Sequence, residues 1–204
     1  MTWHCKASGA YSRTSQEAID NATEIYGALY KRGWTVNAVA GLLGNMGAES
    51  GYNPWRWQSD NIGASGGSPW TNKGYGLTQF TPASKYIDAD EAKSAPGYGP
   101  NFSDSPGKVT DGSAQMIYLD GFADYIPTKA YPMSYAEYKA STEDAGKLAV
   151  VWLYNYERPA DPASTEAARR EAGLYWFDVL GGITPSKNTA LYLLYLWEVT
   201  HNVR

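Results

Sequence analysis

Hydrophobic positions along the 204 residues gather into stretches of helical spacing, separated by polar segments rich in turn residues. Ala18, Ile19, Ala22, Ile25, Tyr26 and Leu29 recur at intervals of three and four, which predicts a helix over about 15–32, opened by a capping box at Thr14-Ser15-Gln16-Glu17 and closed by Gly33. Val36, Val39, Ala40, Leu42, Leu43 and Met46 predict the next helix, apolar over so much of its circumference that it belongs in the core. Thr35 is its natural N-cap, and Gly51 followed by Pro54 stops it. So short a link predicts that these two helices pack as a hairpin. Residues 52–73, with Trp55, Trp57 and Trp70 among turn formers, read as a loop carrying a small β-hairpin. Further helices are predicted over 83–92, from near Ser113 to Pro127, over 135–140 with Ser134 as cap, from a cap at Ser141 or Thr142 through Tyr154, and from Ser164 or Thr165 to Gly181-Gly182. The Gly/Pro/Ser-rich stretch 93–113 reads as a loop at a cleft edge.

This order describes a mainly α fold with a small β element: an N-terminal arm over 1–13, one domain over 14–182 and an appended segment over 183–204. The apolar run at 190–199 is too short to span a bilayer and reads as an added helix or strand, so no membrane span is expected. A net charge of −4 without a Lys/Arg cluster argues against a nucleic-acid partner. Eight Trp and seventeen Tyr are an unusual load; such rings combine apolar faces with polar edges and suit sugar faces, while any one of them reads first as core or half-buried surface. Cys5 is the only cysteine, which excludes an intramolecular disulfide, and with His4 and His201 it makes no zinc set; neither metal nor other cofactor is expected. The opening MTWHCKASGAYSRTSQ has no basic segment followed by an apolar run, so no signal peptide is expected.

The chemistry begins at Glu49, in the last turn of the second helix. The negative end of the helix dipole and the apolar surface nearby both disfavour a carboxylate there, which raises its pKa and suits it to act as a general acid. Downstream, Gly74 to Pro82 reads GYGLTQFTP, a glycine-rich turn in which Gln79 offers a donor and an acceptor. Tyr154 to Pro159 reads YNYERP.

AESGYNP, GYGLTQFTP and YNYERP in this order resemble bacteriophage tail lysozymes, and are similar to goose-type lysozymes and soluble lytic transglycosylases; the likeness covers about residues 15–182. It implies a lysozyme-like fold with a central buried helix ending in the catalytic glutamate and a small β-hairpin at the cleft. It also implies an N-acetylmuramidase that cleaves the glycan strands of bacterial peptidoglycan, carried in a virion tail beside other phage tail proteins or released as a lysin. By the same resemblance Glu49 is the acid, Gln79 binds an N-acetyl group or carbonyl, and Tyr154 and Asn155 contact substrate. Tyr75 joins them as a substrate contact, and Trp57, Trp55 and Trp70 are stacking candidates.

Asp60 is similar in placement to the water-positioning aspartate of goose-type enzymes, and it fits a plain Asx turn equally well. Those enzymes also place an acid soon after the glutamine of the GLxQ turn, where this chain has Phe80 and Thr81; without a placed base the sugar's own 6-hydroxyl can attack, the transglycosylase outcome. Glu157 is a rival acid, with Arg158 beside it pointing instead to an ion pair that orients the cleft wall. A non-catalytic wall-binding or structural tail component is the reading from another class, and the presence of both Glu49 and the GLxQ turn counts against it.

Overall fold

A computed structural model describes residues 3–66 and 72–181, and the apolar run at 190–199, Trp70 and His201 lie outside them. The described residues form eight α-helices: α1 (Gln16–Tyr30), α2 (Val36–Glu49), α3 (Ser84–Ile87), α4 (Asp90–Lys93), α5 (Asp111–Phe122), α6 (Tyr135–Ala140), α7 (Ala145–Trp152) and α8 (Glu166–Gly181).

α2 is the axis of the molecule. Thr35 caps it as expected, accepting the Ala38 N–H, and every residue from Ala38 to Met46 is buried. A helix apolar on all sides needs neighbours all round, and α7 and α8 supply most of them, with α1 and α6 adding less. The crossings are glycine contacts: a Cβ on Gly41 would stand 2.9 Å from the Leu148 carbonyl carbon, and one on Gly44 2.9 Å from both Arg169 O and Gly173 N. The backbones therefore touch where a larger side chain would hold them apart.

Several boundaries differ from the sequence reading. The cap of α1 is Ser15, whose hydroxyl accepts from Ala18, so the third helical residue is an alanine and the box predicted one position earlier does not form. α1 packs on α2 as expected, and on α5 as well. The helix predicted over 83–92 divides into α3 and α4 because Ala89 is extended. α6 carries the Ser134/Glu137 capping box, whereas α7 is capped by Asp144 instead of Ser141 or Thr142.

No β-hairpin is found among the described residues; isolated antiparallel bridges join Trp57 to Tyr75 and Tyr75 to Phe80. Residues 93–113 do not edge a cleft. They close over an aromatic layer, where Asn101 O accepts the Trp57 indole N–H and the buried Asp111 accepts from Tyr75, Tyr86, the Gly99 N–H and Gln115. The N-terminal arm is docked: Trp3 is buried against Gly112, and the Tyr11 N–H donates to Gly51 O.

Candidate functional site

The C-terminal end of α2 opens into a cleft of about 540 Å³. Ala48 and Glu49 form part of its lining, the turn Thr78 to Thr81 another, and the segment following α7 faces them with Tyr156, Glu157 and Arg158. Gly51, in left-handed conformation (φ 56°) with the Ala10 side chain where a Cβ would go, ends α2 at this point.

Glu49 is half-buried and meets the guanidinium of Arg169, whose Nη2 donates to Oε1 at 3.0 Å. Arg169 projects from α8, and its Nη1 donates to Asn45 O at 2.8 Å, one turn before Glu49 on α2. Burial raises the Glu49 pKa, and the charge and hydrogen bond of Arg169 oppose that rise without cancelling it.

Glu157 arrives by an unusual route. Beyond Trp152 the chain widens into a π-helical turn, Leu153–Glu157, and Arg158 then adopts a left-handed conformation (φ 46°) with its N–H on Leu153 O. The Glu157 Oε1 accepts the Trp152 indole N–H at 2.9 Å. Burial pushes its pKa well above the usual range, and the nearby charge of Glu49 pushes it further. The ion pair expected between Glu157 and Arg158 is absent. Arg158 instead donates to Asp124 Oδ2 at 3.1 Å and to the carbonyls of Asp124 and Asn155, and Lys85 meets the same Asp124 oxygen at 3.1 Å. These two cations, Lys85 first, hold the Asp124 pKa below the usual range.

Along the cleft from the acids, Tyr118 and Phe122 of α5 stack with ring centroids 5.4 Å apart and planes at 16°. Phe122 is 52% exposed, while the Tyr118 hydroxyl is fixed on Lys85 O. The arrangement offers solvent a flat apolar face. Neither residue was singled out from the sequence.

Of the residues proposed from sequence, Glu49 and Gln79 line the cleft. Gln79 donates from Nε2 to Arg56 O and Gly76 O, which fixes the GLxQ turn. Tyr75 and Trp57 are fully buried, so neither presents a face to a sugar; the correction follows from their edges, which find partners inside the protein at Asp111 and Asn101. Asn155 is buried too: Oδ1 accepts from the Thr128 N–H and hydroxyl, and Nδ2 donates to Tyr125 and to Tyr131 O. Tyr154 packs on Tyr131 outside the cleft lining. Asp60 is likewise outside it, its Oδ1 accepting from Gly9 N–H at 2.7 Å and from Arg56 Nε at 2.9 Å. Trp55 donates its indole N–H to Lys108 O. Among the described residues no group of three metal-ligating side chains converges, and no helix is long and apolar enough to cross a membrane.

Compared with known proteins, the chain matches the phage tail lysozyme family over residues 20–180. It is 36% identical over 171 residues to a protein named Morphogenesis protein 1 from Bacillus phage B103, a match covering 82% of this chain and 41% of that relative. The chain thus corresponds to about two fifths of the relative's length.

Proposed function

This chain belongs to the phage tail lysozyme family, and from that premise we propose that it cleaves the MurNAc–GlcNAc bond of bacterial peptidoglycan, with Glu49 as general acid. The observation that carries the proposal is a carboxyl group of raised pKa at the end of the core helix, on the lining of an aromatic-walled cleft. Cleaving a glycosidic bond requires a proton for the departing oxygen, and a carboxyl whose protonated form is favoured by burial is suited to supply it. The Tyr118–Phe122 stack gives a sugar ring a platform in the same cleft, and Gln79 stiffens the turn opposite. Asp60 acts in this reading as a structural tie between the N-terminal arm and Arg56.

The protein works on the cell wall as part of a virion tail or as a released lysin. We propose hydrolysis over transglycosylation. Mass spectrometry of digested peptidoglycan tests this: reducing ends are expected, and predominantly anhydro-muramic ends would assign the lytic transglycosylase outcome. Glu49→Gln is expected to lower wall clearing on the order of 10²- to 10⁴-fold; clearing at the parental rate would return Glu49 to a structural role. A parent that binds walls from every species tried and releases no fragment would make the domain a wall-binding component.

A further inference from the structure

Glu157 has no task in the reading above, yet the chain departs from regular geometry at the place where it is presented. The five-residue π turn and the left-handed Arg158 that follows are both costly backbone states, and such states concentrate where a side chain must be aimed. Their result is that Glu157 lines the cleft with Glu49 while Asn155, two residues earlier, points into the protein. The cation next to Glu157 in sequence is committed to Asp124. What Glu157 does accept is the neutral indole N–H of Trp152. A carboxyl used only for architecture would be expected to take the cation beside it; this one lines the cleft with a second carboxyl instead.

We propose that Glu157 is the second catalytic carboxyl of the cleft, the base that takes the proton of the attacking water while Glu49 serves as acid. The proposal rests on the glycan-cleaving reading. Two carboxyls that line one cleft and feel each other's charge titrate in steps that belong to the pair. The charged and titratable groups facing them are Arg169 from α8, Arg158 next in the chain, Tyr138 from α6 and Tyr156 in the π turn. Burial favours the protonated form of both carboxyls, and the Arg169 guanidinium on Glu49 and the Trp152 indole N–H on Glu157 each oppose it. In the reaction Glu49 gives its proton to the glycosidic oxygen as the C–O bond breaks. Water forms the new bond to the anomeric carbon, and its released proton goes to the Glu157 carboxylate. The pair then holds one proton as before, and its return to Glu49 completes the cycle.

The test uses the full chain with glutamate side-chain carboxyls labelled with carbon-13. The Glu49 and Glu157 resonances are expected to titrate as a coupled pair, and Glu157→Gln is expected to move the Glu49 midpoint to lower pH, since a neighbouring negative charge has been removed. Independent titrations, or an unmoved Glu49 midpoint, would overturn the proposal. On peptidoglycan, Glu157→Gln is expected to lower kcat on the order of 10²-fold or more with KM little changed, and to alter the pH profile. Glu157→Asp should restore part of the rate, and the double Gln variant should fall no lower than the weaker single. A Glu157→Gln variant with parental kcat and pH profile would also overturn it. A parent that cleaves no peptidoglycan would sink the functional reading alone; the titration decides the pair in either case.

Discussion

Glu49 sits between two opposing influences, burial that raises its pKa and the Arg169 guanidinium that lowers it. Replacing Arg169 by Gln leaves burial less opposed, so the alkaline limb of the kcat/KM profile is expected to move to higher pH. The same change takes a charged donor from Asn45 O and is expected to cost about 1–3 kcal/mol in chemical denaturation. A limb that stays in place would mean that Arg169 does not act on the reacting proton. The place of Glu49 at the end of an apolar helix was legible in sequence because the helix pattern and the glycine stop are local, whereas its part as acid rested on the resemblance carried by the later motifs. Arg169 was not, since it arrives from 120 residues away. Tyr75 and Trp57 misled for a physical reason: an aromatic ring with a polar edge serves a sugar or an interior equally well, and only the partner of the edge decides. Tyr75→Phe removes a donor from the buried Asp111 and is expected to lower stability by about 1–3 kcal/mol while leaving KM unchanged. A raised KM would return Tyr75 to the substrate-binding set.

At the scale of elements, the site depends on how closely α2 and α8 approach. Gly44 has no room for a methyl group, because the atoms that would meet it are backbone of α8 and the Ala149 side chain. Gly44→Ala is therefore expected to cost about 1–3 kcal/mol by overpacking and, by displacing Arg169, to disturb Glu49 and reduce activity. Unchanged stability and activity would show that α8 can shift without consequence for the cleft. α2 and α6 were readable from sequence because each has a single cap candidate, Thr35 for one and Ser134 for the other. The start of α7 was not, since Ser141, Thr142 and Asp144 can all cap and tertiary packing selects among them. Nor was the π turn, which has no periodic signature and brings Glu157 around to the cleft side. The expected hairpin failed because Trp57, Tyr75 and Phe80 pair as single bridges, with Tyr75 shared between them.

For the molecule as a whole, the carboxyl groups divide into two sets with opposite effects on stability. Asp20, Asp104, Asp124, Glu17 and Glu137 have pKa values lowered by hydrogen bonds and nearby cations, so the folded state favours their ionised forms. Their contribution is present above the unfolded carboxylate range and is lost as pH falls through their folded values. Glu49, Glu157 and Asp111 are raised, chiefly by burial, so the folded state favours their protonated forms. Their contribution is complete below the unfolded carboxylate range and is lost as pH climbs from there through their raised values. The two windows meet near the ordinary carboxylate pKa, and the thermal midpoint is expected to be highest in mildly acidic solution and to decline toward neutral and alkaline pH. Glu157→Gln removes the most strongly raised member of the cleft pair while keeping its size. The variant should therefore lose part of the decline on the alkaline side and leave the acid side as it was. Thermal unfolding of parent and variant across the pH range measures both slopes. Identical alkaline slopes would mean that Glu157 ionises in the folded protein as readily as in the unfolded chain, against both its burial and the charge of its carboxyl neighbour.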